Sequence, residues 1–157
     1  MRPCYECYWK YQVEIAARMT TCCRRSVGAV MVRDKRQVAT GFNGNLPGHR
    51  HCDEDGCARC NATSHESGQA LERCVCCHAE ENLVSYCARN GVGANGTIVY
   101  CTLSPCLGCF RLLALAGVQE VVYGESYPGD RELVAQLAAT SGITFRTFNC
   151  SCGGLVA

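Results

Sequence analysis

Cysteine is the residue that most constrains how this chain can fold, because sixteen of its 157 residues are cysteine. In a small secreted protein such a density is typical of a disulfide scaffold. In a reducing compartment it indicates metal-binding thiolates and buried free thiols instead. The first residues, Met1 to Glu6, hold no apolar run of the kind that signal peptides have. We therefore expect a cytoplasmic protein whose cysteines bind metal or lie in the core.

The composition predicts a globular chain that forms a single domain over residues 1–157. Hydrophobic residues make up 48% of the chain and charged residues 18%, which favours a folded core over disorder. No stretch approaches the ~20 apolar residues that a membrane helix needs, so we expect no membrane partner. The net charge is +1 and there is no basic tail. This balance argues against a nucleic-acid partner and leaves room for a small anionic substrate.

Segments with helical spacing alternate with short β-branched runs along the chain. The pattern predicts helices over residues 5–20, 78–90, 106–116 and 131–140. It predicts strands over residues 27–32, 37–42, 97–101, 120–123 and 143–148. This order predicts an α/β sandwich around one central sheet. Residues 43–73 show no periodicity, and a loop of that length is usually functional or held in place by a ligand.

Two short segments carry the residue types of a metal site. Residues 77–82 read Cys-His-Ala-Glu-Glu-Asn, and residues 102–109 read Thr-Leu-Ser-Pro-Cys-Leu-Gly-Cys. Each segment is predicted to open a helix, where the helix dipole favours a thiolate. His78, Cys106 and Cys109 supply one imidazole and two thiolates, which leave the fourth position of a tetrahedral zinc open, as in catalytic sites. Water bound to such a zinc has its pKa lowered to about 7.

Glu80 follows His78 by two residues and is predicted to reach the same site without ligating the metal. A carboxylate there can take a proton from water, deliver it to a ring nitrogen and later protonate departing ammonia. His-x-Glu followed by Pro-Cys-x-x-Cys is a known signature of zinc deaminases. His-x-Glu alone could be part of a solvated helix face, and Cys-x-x-Cys alone could be a chance pair of cysteines, so neither half is informative by itself. The two halves together favour a deaminase over a purely structural zinc module.

On these residues the chain resembles the cytidine deaminase superfamily and, within it, the deoxycytidylate (dCMP) deaminases. The resemblance covers about residues 22–127 and includes residues 22–30, 41–44, 51–57, 78–82 and 104–106. It implies a three-layer α/β/α sandwich around a mixed sheet of about five strands. It also implies hydrolysis of dCMP to dUMP and ammonia, which would feed thymidylate synthesis. The alternatives are deamination of a nucleoside, CMP or a base in RNA, or a non-catalytic zinc-binding module, against which the intact Glu80 argues.

The resemblance also assigns substrate contacts. Asn43 corresponds to an asparagine that contacts the sugar, and Arg89 to an arginine that holds the 5′-phosphate in some members. Tyr127 corresponds to a tyrosine near the base and the phosphate, and the backbone carbonyl of Ser104 would face the exocyclic amine. An Asn-Gly turn, a solvated arginine at a helix end and a loop aromatic are the structural alternatives for the first three.

Many relatives that resemble this chain hold a second, closed zinc that ties the long loop to the first strand. Cys22 and Cys52 fall at matching positions, and Cys76 and Cys57 are further candidate ligands. Other residues of the loop compete for the same role, namely Cys60, His65 and Cys74. A structural zinc needs four protein ligands. We therefore expect one catalytic zinc and at least one structural zinc.

The ends of the chain hold another group of thiols. Cys150 and Cys152 could join Cys4 and Cys7 in a metal site if the two ends meet, and otherwise they are free thiols. The resemblance further implies a homo-oligomer, commonly a hexamer, and possible regulation by dCTP and dTTP.

Overall fold

The computed structural model describes residues 2–66 and 69–150. Within them the elements follow in the order α1 (Tyr5–Ala17), β1 (Gly28–Arg33), β2 (Arg36–Phe42), β3 (Gly44–Asn45), α2 (Ala58–Asn61), β4 (Cys76–Cys77), α3 (Ala79–Asn90), β5 (Ile98–Leu103), α4 (Leu107–Leu115), β6 (Glu120–Glu125), α5 (Arg131–Ser141) and β7 (Thr144–Thr147). Two single turns of 3₁₀-helix, Cys52–Glu54 and Leu71–Arg73, lie between β3 and β4. In the described part of the chain, no helix has the length and apolar character needed to cross a membrane.

Five of the strands form a central sheet in the order β2-β1-β5-β6-β7. β1 runs antiparallel to β2 and to β5, whereas β6 runs parallel to β5 and to β7. The helices α4 and α5 connect the parallel strands, since parallel neighbours need a crossover connection. The prediction of a mixed five-stranded sheet is therefore confirmed.

Helices cover both faces of the sheet. Trp9 and Val13 of α1 pack on one face, and Leu83 of α3 and Leu113 of α4 pack on the other. Residues 29–32 of β1 alternate between the two cores, because successive side chains of a strand point to opposite faces. A strand buried on both sides needs apolar residues throughout, which explains the unbroken apolar run of β1. The α/β/α layering is confirmed.

The element boundaries differ from the predicted ones by one to three residues at most ends. The largest difference is in α1, which was predicted to reach residue 20 and ends at Ala17. The hairpin turn between β1 and β2 lies in the gap between the predicted strands 27–32 and 37–42, and Asp34 and Lys35 both have positive φ, of 50° and 59°. Two consecutive residues with positive φ give the twist that a tight two-residue hairpin needs.

The long loop after β2 contains short elements that its sequence did not predict. β3 pairs with β4 in antiparallel fashion, with Gly44 opposite Cys77 and Asn45 opposite Cys76. The core of this region is a cluster of cysteine side chains rather than aliphatic or aromatic residues. Strand β4 of this small sheet leads directly into α3, so the sheet positions His78.

Gly41 allows α3 to lie directly against β2. A Cβ atom at this position would lie only 2.1 Å from the backbone oxygen of Ala79 and 2.9 Å from the Cβ of Leu83. Only glycine permits so close an approach. The first turn of α3, which carries Glu80 and directly follows His78, is therefore held at the sheet by a backbone contact.

Candidate active site

The first turns of α3 and α4 open onto one cavity of about 290 Å³. His78 is the residue before α3, and Cys106 is the residue before α4, and both have extended backbone. The partial positive charge at the start of each helix therefore lies at this cavity, where it favours a thiolate or another anion.

The three predicted metal ligands lie together. His78 Nδ1 is 3.3 Å from Cys109 Sγ and 3.6 Å from Cys106 Sγ, and the three ligand atoms all lie within 4.8 Å of one another. A tetrahedral zinc, with bonds of about 2.0 Å to nitrogen and 2.3 Å to sulfur, separates such ligand atoms by roughly 3.5 Å. The spacing and the chemistry of this donor set therefore fit zinc with one open position.

The three ligand side chains lie within hydrogen-bonding distance of one another. Donation from the Cys109 thiol lowers the pKa of Cys106 to about 4, and the hydrogen bond with Cys106 raises the pKa of His78 to about 9. The lowered pKa of Cys106 favours the thiolate form that binds a metal. A metal ion would replace the protons of this group, as metal binding to thiol and imidazole ligands generally does.

Glu80 lines the same cavity and is outside the ligand set. Its side chain is buried, with 3% of the residue exposed, and burial raises the pKa of its carboxyl above the ordinary range. A raised pKa brings the carboxyl closer to the range in which one group can both accept and donate a proton. This is the property that a general acid–base at a hydrolytic site needs.

Glu81 supports the site in a way that the sequence prediction missed. Its carboxylate accepts a hydrogen bond of 2.6 Å from the backbone N–H of His78. This contact closes the first turn of α3 in the manner of a capping box. The amide of Asn82 donates to the backbone oxygen of Phe42 at 2.7 Å, which ties the same turn to β2. The signal was present in the sequence, since a glutamate three residues after a helix cap is typical of this motif.

Three of the predicted substrate contacts, Asn43, Ser104 and Tyr127, also line the cavity, and the side chains of the first two have structural partners. Asn43 is buried, its Nδ2 donates to the backbone oxygen of Arg25 at 2.7 Å, and its Oδ1 accepts from the N–H of Val27 at 2.8 Å. Ser104 is buried, and its hydroxyl accepts from the N–H of Tyr127 at 2.7 Å. These two side chains therefore face the cavity and, through these hydrogen bonds, also stabilise its wall.

The predicted phosphate ligand lies elsewhere. Arg89 is exposed in the last turn of α3, and it does not belong to the described residues that line the cavity. Arg24, Arg25 and Arg59 line the cavity instead. The guanidinium of Arg25 lies 5.4 Å from the centre of the Tyr127 ring.

The guanidinium groups of the other two cavity arginines are bound to backbone oxygens. Nε of Arg24 donates to Cys60 at 2.7 Å, and Nε of Arg59 donates to Gln69 at 2.9 Å. These arginines therefore hold the long loop while contributing positive charge to the cavity. The sequence prediction missed all three, because they come from two distant segments that only the fold brings together.

The candidate structural ligands divide into two overlapping groups of four thiols. One group contains Cys22, Cys52, Cys60 and Cys76, and the other contains Cys57, Cys60, Cys74 and Cys76. Cys22, Cys52 and Cys76 thus lie together as predicted, with Cys60 rather than Cys57 as the fourth member. His65 is outside both groups among the described residues.

The two ends of the described chain also meet. The sulfur atoms of Cys4, Cys7 and Cys150 lie within 4.8 Å of one another. Cys152, the fourth thiol of the predicted group, lies outside the described residues.

Comparison with known proteins agrees with this geometry. The family model of the cytidine and deoxycytidylate deaminase zinc-binding region matches residues 2–125. Deoxycytidylate deaminases of Schizosaccharomyces pombe and Saccharomyces cerevisiae are each 40% identical to this chain, over 94% and 95% of its length. The alignments cover 45% and 46% of those two proteins, so the chain spans about half the length of these relatives.

A solved structure extends the comparison to three dimensions. The dCMP deaminase of cyanophage S-TIM5, in complex with dCMP and dUMP, superimposes on this chain with a TM-score of 0.73 at 28% sequence identity. The superposition covers 94% of this chain and 98% of that one. With the family model matching most of its length, this chain belongs to the cytidine and deoxycytidylate deaminase family.

Proposed function

We propose that this protein is a zinc-dependent hydrolase that converts dCMP and water to dUMP and ammonia. The observation that carries the proposal is the buried Glu80, which faces the cavity beside His78 and Cys106 without belonging to the ligand set. A closed structural zinc site has no use for such a carboxylate, whereas hydrolysis of an amine requires a group that moves protons.

In the proposed reaction, His78, Cys106 and Cys109 would hold the zinc, which when bound lowers the pKa of water toward neutrality. Glu80 takes the proton that water loses as its oxygen forms a bond to C4 of the pyrimidine. The same carboxyl delivers this proton to N3, then takes the remaining proton from the hydroxyl on C4 and delivers it to the exocyclic nitrogen, so that the C4 carbonyl forms. The bond between C4 and that nitrogen breaks, and ammonia leaves. Glu81 keeps the backbone of His78 in place throughout.

The cavity suits a nucleotide with a phosphate. Arg25 lies beside the Tyr127 ring, which offers a cation for the phosphate next to an aromatic face for the base or sugar. A guanidinium binds phosphate through charge-assisted, often bidentate hydrogen bonds. We therefore assign the phosphate to Arg25 rather than to Arg89. Asn43 and the backbone of Ser104 remain candidates for the sugar and for the exocyclic amine.

Relatives support this choice of substrate. The yeast proteins that are 40% identical to the chain are deoxycytidylate deaminases, and the cyanophage structure holds dCMP and dUMP. Because the chain spans about half of the yeast proteins, the activity is proposed for the deaminase domain, which we take to be residues 1–157.

The proposal includes further properties of the protein. One zinc is catalytic and at least one more is structural, as the thiol groups of the long loop favour. A homo-oligomer, which would be a hexamer by the family resemblance, would use exposed apolar side chains such as Ile15, Met19 and Leu115. Regulation by dCTP and dTTP, and residence in the cytoplasm, belong to the same proposal. Among the described residues no disulfide joins two cysteines, as is usual in a reducing compartment.

The experiment that tests the function is ammonia release by the zinc-loaded protein across a panel of substrates. The panel is dCMP, CMP, deoxycytidine, cytosine and a tRNA. We expect dCMP to have the highest kcat/KM. A preference for tRNA or for a free nucleoside would refute the assigned substrate, and release from none of them would refute the enzymatic function.

A further inference from the structure

Six cysteine side chains come together in one cluster beside the cavity. Four of them, Cys52, Cys57, Cys60 and Cys76, are at most 5% exposed, and Cys22 and Cys74 pack against these four. They originate from three parts of the chain: the segment before β1, the long loop and β4. The fold therefore brings six soft ligands to one place where the surrounding sequence offers little apolar core.

The distances between the sulfur atoms match those around a metal. Cys22 and Cys76 each lie 3.9 Å from Cys60, and Cys74 lies 3.8 Å from Cys57 and 3.5 Å from Cys60. In a tetrahedral site with zinc–sulfur bonds of about 2.3 Å, neighbouring sulfur atoms are separated by roughly 3.8 Å. Four-sulfur tetrahedral sites select zinc or iron–sulfur centres.

The two groups of four thiols share two members, Cys60 and Cys76. Two separate four-thiolate sites would need eight cysteines, and this cluster has six. Two metal ions can each have four sulfur ligands here only if the shared thiolates bind both ions. We propose that the six cysteines hold a binuclear zinc cluster. In it, Cys60 and Cys76 bridge the two ions, and two terminal thiolates complete each site.

The terminal ligands follow from the same grouping. Cys22 and Cys52 complete one site, and Cys57 and Cys74 complete the other. Each site thus takes ligands from segments that are distant in sequence. The first ties the segment before β1 to the loop and to β4, and the second ties the loop to β4.

Backbone hydrogen-bond donors face two of the six cluster thiols, and an arginine lies beside the cluster. Backbone N–H groups of Arg24 and Arg25 donate to the sulfur of Cys22, and those of Cys60 and Val75 donate to the sulfur of Cys57. The side chain of Arg24 donates to the backbone oxygen of Cys60 at 2.7 Å. Six thiolates and two divalent ions leave a net negative charge, which nearby N–H groups and guanidinium groups offset.

The position of the cluster links it to the cavity. Several of its thiols, including Cys22 and Cys76, line the same cavity as Glu80. Cys76 belongs to β4, two residues before His78. The binuclear cluster would therefore fix both the segment that carries Arg25 and the start of α3.

The first test is a count of zinc per chain by elemental analysis of the full-length protein. Changing both bridging residues, in Cys60→Ser/Cys76→Ser, should remove two zinc ions relative to the wild type. Taking this difference leaves out the catalytic zinc and any metal held by Cys4, Cys7 and Cys150. A difference of one would show a single mononuclear site, a difference of zero would show no cluster, and iron in place of zinc would also refute the proposal.

The matched control is Cys23→Ser/Cys77→Ser, which removes two cysteines adjacent in sequence to cluster residues. Neither belongs to the two groups, although the sulfur of Cys23 lies 3.5 Å from that of Cys52. The zinc count of this variant should equal that of the wild type. A loss of zinc here would overturn the assigned set of ligands.

The second test does not depend on a variant that folds. In wild-type protein loaded with ¹¹³Cd, two cadmium signals of the cluster should split each other through the shared sulfurs. A single cadmium signal from the cluster, or two cluster signals that do not split each other, would contradict the bridged arrangement. This proposal rests on the thiol geometry and not on the proposed function. A protein without dCMP activity that showed the coupled signals would refute only the function.

Discussion

The guanidinium of Arg25 lies 5.4 Å from the centre of the Tyr127 ring, and both residues line the cavity. The backbone of Arg25 is fixed as well, because its carbonyl oxygen accepts a hydrogen bond of 2.7 Å from Asn43 Nδ2. The guanidinium of Arg25 is thereby held at a defined position in the cavity that His78 and Glu80 also line. Arg89, the arginine that the sequence suggested for this role, is exposed at the other end of α3.

Replacing Arg25 by alanine should weaken the use of a phosphorylated substrate. A hydrogen-bonded charged group contributes enough that KM for dCMP should rise roughly 10- to 100-fold. The KM for deoxycytidine, which has no phosphate, should change little. Steady-state kinetics with both substrates measures the effect. Arg89→Ala is the control and should leave both KM values near those of the wild type, whereas equal losses for both substrates in Arg25→Ala would show a structural role.

The close approach of β2 and α3 gives a prediction about stability. Alanine at Gly41 would place a Cβ 2.1 Å from the backbone oxygen of Ala79, so α3 must shift. We expect Gly41→Ala to lower the free energy of unfolding by about 1–3 kcal/mol or more. Urea denaturation of the zinc-loaded protein measures this change.

The matched control is Gly44→Ala, whose new Cβ would meet only Thr21 Oγ1, at 3.5 Å. This is ordinary van der Waals contact, and the free energy of unfolding should change by less than about 1 kcal/mol. If the variants at Gly41 and Gly44 were equally stable, the contact between β2 and α3 would not be as tight as described.

An ion pair between α1 and β7 gives a prediction about pH. Glu6 Oε1 lies 2.9 Å from Arg146 Nη1, and Glu120 Oε1 lies 2.8 Å from Nε of the same arginine. Burial alone would raise the pKa of Glu6, but the hydrogen bonds from Arg146 and from the N–H of Asn149 outweigh it. The pKa therefore lies below its ordinary value of 4.5.

Because the folded pKa of Glu6 is lowered, the pair stabilises the fold above about pH 4.5 and loses this contribution as the pH falls through the folded value. Glu6→Gln should therefore lower the free energy of unfolding by at most about 1 kcal/mol at neutral pH, since the pair is partly exposed. The difference should shrink in acid. Urea denaturation at neutral pH and in acid measures this difference in the free energy of unfolding. The control is Glu14→Gln, at an exposed position of the same helix. A difference that stays constant with pH would contradict the account.

The fold could be predicted from the sequence because its elements are strongly patterned. The apolar run of β1 and the helical spacing of α3 specify their elements locally. The predicted end of α1 was too late in the sequence, because the residues up to Met19 and Thr20 include no glycine or other signal that ends a helix. The short strands β3 and β4 were missed because two-residue strands have no periodicity to detect.

The site was predictable only where its residues form a local motif. His78, Glu80 and the Cys-x-x-Cys pair occur in two short segments, each at a helix start, so their types and spacing suggest a common metal. Arg25 could not be found this way, since it meets Tyr127 only through the fold. The grouping of the loop cysteines likewise depends on which thiols the two-stranded sheet brings together.

The most direct measurement of the central claim compares wild-type protein with Glu80→Gln. The wild type should release dUMP and ammonia from dCMP in equal amounts. The variant should bind as much zinc and unfold at a similar urea concentration, because the carboxylate is not a ligand. Its kcat should fall by about 10²–10⁴-fold, which is the usual contribution of a general acid–base. A variant with full zinc content and most of its turnover would contradict the proposed mechanism.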